Sequence, residues 1–520
     1  MCIRDSTWGA VTAMAQAGIR YFSVAPNYFD RIGTILREWE NKPFYWVGPD
    51  ARSKVLVWIP FWGYAMSHRY GKMSPRLVED FSDGLEQRGY PFDIAYVRWA
   101  GHGDNAVPDP AICEFVRDWN AKYAWPRFVI SGTSEAFRAF EQRYGDRLPV
   151  VRGDWTPYWE DGAGSSALET AMNRASSDRL TQAETLFAML RPSAYPAKAV
   201  EEAWNQVLLY SEHTWGAWCS VSEPQRKETL EQWDIKRSYA EEADRQSRDL
   251  LAASLGGERV GSAAAAGTVD VFNTLSWPRT ELVTLSKARA NDHSPLRVTD
   301  DAGRPVPSQR LTSGELVFLA RDVPPFAARR YTVVSGAPHV EGRAIAEGAT
   351  LDSGAIRLRL DEGTGGIVEL TASGLSGNFA DISEGEALND YLYLIGDDPK
   401  DLKRNGPVTI RVGEKGPLVA SLVIESAAPG CKRLVRELRV VAGCDHVELI
   451  NTIDKERLQA KSYHAKEGKE SVNFAFPFAV PDGEVLLDIP LGVMRPEIDQ
   501  MPSACTVSYT HLTLPTIYSV

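Results

Sequence analysis

Apolar positions recur with three different periods along the chain, and each period predicts a different kind of domain. From residue 7 to about 160, short apolar runs at 20–24, 55–59, 94–97, 127–130 and 149–151 alternate with amphipathic stretches at 7–17, 75–88 and 110–122. Alternating strands and helices imply a parallel sheet with helical crossovers, whose chemistry sits at the C-terminal ends of the strands. That reasoning puts 25–27, 98–105 and 152–155 on one rim. Between 165 and 255 the spacing becomes helical. Leu168, Ala171, Met172 and Ala175 open one stripe, Val200, Ala203, Trp204, Val207 and Leu208 form a second, and a third stretch covers 224–255; this predicts a three-helix bundle. The stretch 256–267, rich in glycine and alanine, is the best linker. Beyond it the period falls to two: Ile356, Leu358 and Leu360 alternate with Arg357 and Arg359 ahead of a glycine-rich turn at 361–366. Further strands are expected at 367–370, 418–425, 434–441 and 446–454, which together predict a large antiparallel β-sandwich.

The predicted order is therefore 7–162 for a β/α domain, 163–257 for the bundle, 258–267 for a linker and 268–505 for the sandwich. Both ends have a different origin in this reading. One oligonucleotide, read in opposite orientations, encodes Met1–Ser6 and Val507–His511, and it resembles a transposon mosaic-end adaptor used in sequencing libraries. Residues 1–6 and 506–520 are expected to be adaptor artefact, outside any fold.

Composition narrows the partners. A formal charge of −12 with no basic stripe argues against nucleic acid. No apolar run approaches the roughly 18 residues of a membrane span. Apart from Cys2, the cysteines are scattered without a Cys-x-x-Cys spacing, so neither a thiolate zinc site nor a disulfide framework is indicated. The 15 tryptophans crowd towards the first half, beside Asp, Asn and Gly. Aromatic platforms flanked by carboxylates suit sugar rings, although large aromatics also fill cores and domain seams. Trp46, Trp155, Asp154 and Asn27 are the expected substrate-binding residues.

Three segments could carry chemistry. In Gly101-His102-Gly103-Asp104-Asn105 the glycines allow close backbone approach and leave Asp104 exposed after a strand, where a general acid would stand. The alternative is an Asx-turn or a helix cap, for which Asp109 is the better candidate. The loop 152–162 mixes three carboxylates with three aromatics and reads either as a substrate-lining loop or as a stapled domain junction. His213 ends the stripe of the second bundle helix; a lone histidine there can simply complement the helix dipole, because zinc needs three or four ligands.

The order of these segments resembles glycoside hydrolase family 38, the α-mannosidases, especially its bacterial branch. The residues that carry the resemblance are Thr7-Trp8-Gly9, Gly18 to Phe22, Pro43 to Asp50, Gly103-Asp104, Glu169 to Arg174 with Ala183-Glu184, Leu208 to His213, Val271 to Arg279 and Phe474 to Phe478. What it implies is a multidomain α/β, α and β protein: part of a seven-stranded β/α barrel, a three-helix bundle and a mutarotase-like antiparallel β-sandwich. It further implies one zinc ion (Zn2+) with His213 among its ligands, and Asp104 as the catalytic acid. The other zinc ligands, a His-x-Asp pair and the nucleophilic Asp, would lie before Thr7. Asn105 and Thr214 depart from the family's common Asp at each place. The expected function is a retaining, exo-acting, zinc-dependent α-mannosidase-like hydrolase whose partner is a carbohydrate, an α-mannoside or related glycan, with this fragment itself inactive. Two alternatives stay open, a non-catalytic carbohydrate-binding relative and another glycosidase on the same scaffold. A homo-oligomer is also left open, as is a cytoplasmic or periplasmic location in a bacterium.

Overall fold

The computed structural model describes residues 7–24, 38–61, 65–103, 106–155, 166–212, 219–220, 223–256, 267–287, 295–396, 398–456, 470–489, 491–496 and 498–501. The chain divides into two compact units. The first joins Met1–Asp161 to Asp482–Val520, and the second is Gly162–Pro481. The domain boundary expected near 505 thus falls near 481, and 482–501 returns to the N-terminal unit.

In the first unit, β1 (Tyr21–Ser23), β2 (Phe44–Val47), β3 (Lys54–Trp58) and β4 (Val150–Arg152) form one sheet in the order β1-β3-β2-β4. The run Lys54-Val-Leu-Val-Trp58 is apolar on both faces, as a central strand must be. Its alternate side chains feed two cores. Val55, Val57 and Ile59 join Phe22, Phe44, Trp46 and Trp8 on one face. Leu56 and Trp58 meet Phe137, Phe140 and Tyr144 on the other. The helix Thr133–Tyr144 covers the second face. The first is closed by Val11 of the helix Ala10–Gln16 and by Leu487, Met494 and Met501 from the C-terminal segment.

The sheet is mixed, not parallel. β1 and β3 run parallel, β2 runs antiparallel to β3, and β4 runs parallel to β2. The cause is the link 48–53, where Gly48 N–H donates to Ser53 O at 2.9 Å and Asp50 Oδ1 accepts from Arg52 and Ser53 N–H. A turn of that length reverses the chain, whereas a parallel return needs a crossover of a dozen or more residues.

Two expected strands are absent from the sheet. Residues 94–97 form no strand and join no ladder, although Ile94 and Tyr96 are half-buried in the core of Trp58 and Phe137. At 127–130, Phe128 exchanges two hydrogen bonds with the Asn120 side chain instead, leaving Val129 and Ile130 exposed. Among the described residues the sheet therefore has four strands in an open order.

The second unit opens with the helices Ala167–Leu190, Ala197–Ser211 and Lys227–Ser254 around one core of Leu180, Ala183, Phe187, Val200, Ala203, Val207, Ala243 and Leu250. The stripe through Val200, Ala203 and Val207 is buried as its spacing requires, but Leu208 is exposed. The first helix turns differently from its predicted stripe: Leu168 and Ala171 face outward, and Asn173, Ser176, Leu180 and Ala183 face in.

From Gly267 onward the paired strands of this unit are antiparallel. Leu285, Leu296, Val298, Phe318 and Val333 fill the space between a sheet of order β6-β10-β9 and one of order β5-β11-β7-β8. These strands are β5 (Gly267–Asn273), β6 (Arg279–Leu285), β7 (Leu296–Thr299), β8 (Pro305–Val306), β9 (Ser308–Arg310), β10 (Leu316–Val323) and β11 (Ala327–Ser335). Strand β10 is buried on both faces, because Val317 and Leu319 point into a second core. There Leu351, Leu358, Leu360 and Ile367 meet Val419, Leu422, Ile424, Leu438 and Val440 from the sheet that contains Val419–Ala428 and Cys431–Val441. The period-two pattern around Ile356 is borne out directly, with Leu358 and Leu360 buried and Arg357 and Arg359 exposed.

Candidate functional site

The strand directions decide which candidate residues can share a rim. Ser23 and Trp58 end β1 and β3 at one edge of the sheet, while Val47 and Arg152 end β2 and β4 at the opposite edge. The segments after β1 and after β4, expected on one rim, leave at opposite edges.

At the second edge the structure brings together Trp46, Asp154 and Trp155. The Trp46 ring is wholly buried, stacks on Phe22 with ring centroids 6.4 Å apart and meets Trp155 at 5.3 Å. Its Nε1–H donates to Gly153 O at 2.8 Å. Trp155 is 3% exposed, and its own Nε1–H has no partner among the described residues. Asp154 is equally enclosed: Oδ1 accepts from Trp8 N–H at 2.8 Å, its N–H donates to Asp499 O, and its carbonyl accepts from Met501 N–H. Gly153, at φ 116°, lies so close to this strap that a Cβ there would stand 2.8 Å from Met501 N. Arg152 lies over the Trp8 ring at 5.5 Å. In this structure Trp46 and Trp155 belong to the core of the first unit and Asp154 is buried beside them, while residues 156–162 of the loop lie outside the described residues.

The first edge carries the loop that leads to Asp104. Asp104 and Asn27 lie outside the described residues, as does His213. The approach to Asp104 is nevertheless tightly held. The Ser67 hydroxyl accepts from Ala100 N–H at 3.0 Å and donates to Gly101 O at 2.8 Å, and Met66 N–H donates to Arg98 O. Arg98 Nη2 donates to Ser23 Oγ at 2.5 Å, which fastens the loop to the end of β1. Asp109 closes it from the far side: Oδ2 accepts from Trp99 Nε1 at 3.0 Å and stands 3.6 Å from His102 Nε2, while Oδ1 accepts from Ala111 N–H at the start of the helix Ala111–Lys122. The Trp99 hydrogen bond is the main reason the Asp109 carboxyl is held below its usual range. Asp109 precedes the N-cap Pro110, and its bond to Ala111 N–H forms an Asx-turn at the helix entry instead of the expected cap. Nothing in the pattern singled out Ser67, a serine in a short helix whose partners lie 33 and 34 residues away.

In the second unit the helix Ala197–Ser211 stops one residue short of Glu212, next to His213. Its last turn is fixed by Lys236, which is buried and donates to Leu209 O at 2.9 Å, Tyr210 O at 3.2 Å and Glu212 Oε1 at 2.5 Å. Tyr210 Oη is bound to Ser166 Oγ and Thr170 Oγ1. The motif 271–279 also proves structural: the buried Asn273 amide donates to Trp277 O and Val323 O, and its carbonyl accepts from Leu275 N–H, clamping the turn between β5 and β6.

No protein-family model matches the sequence, and no curated protein matches it. The fold does have a solved counterpart. A protein in the glycosyl hydrolase family 38 from Enterococcus faecalis superposes with a TM-score of 0.62 at 12% identity, over 91% of this chain and 60% of that one. The fold is thus like that of a family 38 glycosyl hydrolase. This chain spans 60% of that protein's length.

Proposed function

We propose that the chain is part of a retaining glycosidase of the α-mannosidase type, acting on α-mannosides or related glycans. The observation that carries this reading is the fold likeness to a family 38 glycosyl hydrolase over 91% of the chain, joined to the collinear motifs from Thr7 to Phe478. Asp104 is the proposed acid and base. It would protonate the glycosidic oxygen as a nucleophilic aspartate attacks the anomeric carbon, and then deprotonate the incoming water. The supporting geometry is the anchoring of residues 98–103 by Ser23, Ser67 and Asp109, since a proton donor works only when its loop is fixed to a fraction of an ångström.

Zinc is proposed with His213 as one ligand. Among the described residues no three His, Cys, Asp or Glu side chains group to hold a metal, so those residues alone do not fit the ion and no step is derived through it. Metal analysis of the purified protein and of His213→Ala addresses this point: zinc content unchanged by the substitution would remove His213 from the site.

The test of the hydrolase uses the chain extended upstream by the segment to which the resemblance assigns the nucleophile. It should turn over an aryl α-mannoside with retention, and Asp104→Asn should lower kcat/KM by about 10² to 10⁴. Undiminished turnover by that variant, or an inverted product, would discard the mechanism.

A further inference from the structure

A cleft of about 300 Å³ opens in the second unit over Leu418 and Ala442, two residues of its sandwich core. Ala442 N–H donates to Leu418 O at 2.8 Å and fixes this floor. Two arginines stand in the lining. Arg321 comes from β10, where one extra residue slips the pairing with β6 between Ala320 and Val323; a bulge of this kind re-aims a side chain that a regular strand would direct elsewhere. Its Nη2 lies 3.6 Å from the place that a Cβ on Gly443 would take. Arg343 precedes the strand Ile345–Glu347, and its stem runs over Gly354, where an added Cβ would meet Arg343 Cβ and Cδ at 3.3 Å. Both glycines have φ 82°, so bare backbone lies under each arginine.

The charges in the cleft do not cancel. Glu341, the carboxylate of the lining, is taken by His339 Nε2 at 2.8 Å. Glu281 and Asp445 share with Arg321 the neighbourhood of the Cys444 thiol, but Glu281 pairs with Arg279, and Asp445 stands 3.9 Å from His446 Nδ1. The guanidinium groups of Arg321 and Arg343 have no ion pair or hydrogen bond among the described residues. The backbone N–H groups of three lining residues, Gly342, Arg343 and Gly443, likewise make no hydrogen bond among the described residues. Two forked cations with open amides beside them offer more donors than the two oxygens of a carboxylate can accept. A phosphate or sulfate monoester presents three acceptor oxygens, and guanidinium groups grip such oxygens in pairs. A volume of this size, at the small end for ligand sites, suits a single ring.

We propose that this cleft binds a phosphate or sulfate monoester of one ring-sized polyol, with Arg321 and Arg343 on the oxyanion and the floor at Leu418 and Ala442 beneath the ring. The site is independent of the glycosidase reading, since neither Asp104 nor His213 enters it.

The experiment titrates the full chain by calorimetry, at low salt and in a buffer free of oxyanions, with glucose 6-phosphate, glucose 6-sulfate, glucose, inorganic phosphate and acetate. One of the two esters should bind more tightly than inorganic phosphate and acetate, which identifies the ester, and glucose should not bind. Arg321→Gln and Arg343→Gln should each weaken that ester about tenfold, and the effect should shrink as salt rises. Arg433→Gln, which removes an exposed arginine paired with Glu425 and outside the lining, should change nothing. Both lining arginines are exposed, and an unchanged thermal midpoint without ligand verifies that each variant folds. Absence of binding by both esters, acetate or inorganic phosphate binding as tightly as the better ester, or affinity that survives both lining substitutions overturns the site. Loss of affinity in Arg433→Gln equal to that in the lining variants also overturns it, because a diffuse positive surface would then account for the binding.

Discussion

The backbone N–H of Trp8 donates to Oδ1 of Asp154, a partner 146 residues away, at 2.8 Å in a site closed to water. This one contact ties the start of the first unit to the end of β4, on the same strap that Asp499 and Met501 complete. Replacing Asp154 with alanine leaves a buried donor unsatisfied, at a cost of about 2 kcal/mol. A urea titration of Asp154→Ala should show that loss with the slope unchanged. Asp154→Asn, which keeps an acceptor, should lose less. If the alanine variant matches the parent midpoint, the contact contributes nothing.

Lys236 stabilises by donating to carbonyls that a helix end leaves open. Lys236→Met keeps the apolar stem and removes the ammonium, so Leu209 O and Tyr210 O lose their partner inside the bundle. The expected cost is about 2 kcal/mol. Hydrogen exchange should locate the faster opening in the last turn of Ala197–Ser211, and uniform loss of protection across the bundle would contradict a local role.

Arg436 is fully buried in the sandwich, donating to Asn389 O at 2.9 Å and to Thr364 O, close to Asp390. Burial lowers Arg436 to about 10 and raises Asp390, against the attraction of the two charges. Desolvation therefore outweighs the pairing, and the value of Arg436 lies in the carbonyls it satisfies. Arg436→Met should destabilise by about 3 kcal/mol, because Asn389 O and Thr364 O are then left without a donor in a site closed to water. A double-mutant cycle with Asp390→Asn should recover part of this; strict additivity would show the two sites to be independent.

Tyr21 and Tyr45 both donate to Glu141, at 2.8 and 2.9 Å. Burial, and then the hydrogen bond to Glu141, push Tyr45 up to about 12 from an ordinary value of 10.0. A raised value means that the folded state holds the proton more tightly. Its stabilisation is complete below pH 10 and fades as pH rises from there through about 12. Phenolate absorbance should show a late-titrating step that Tyr45→Phe removes and that Glu141→Gln shifts to lower pH. A Tyr45 titration at the free-tyrosine value would refute this.

Much of the organisation was legible because it rests on local periodicity. The alternation at Ile356, Leu358 and Leu360 specified one buried face, and Val200, Ala203 and Val207 specified another. Hydrophobic character alone misled where burial can come from either side. Trp46 and Trp155 have the composition of a sugar platform, and the structure packs Trp46 against both Trp155 and Phe22. Residues 127–130 have the composition of a strand, yet the Asn120 side chain takes their backbone groups.

By itself the sequence determined the series of structural periods and the turn at 361–366, both consequences of residues within one or two turns of each other. Only the tertiary structure decided strand direction, and with it that the segments after β1 and β4 part to opposite edges. It also decided that 482–501 returns to the first unit and that Ser67 braces the Asp104 loop. These outcomes depend on which distant backbone groups meet. A donor such as Trp8 N–H carries no mark in the sequence of the carboxylate that will satisfy it once water has been excluded.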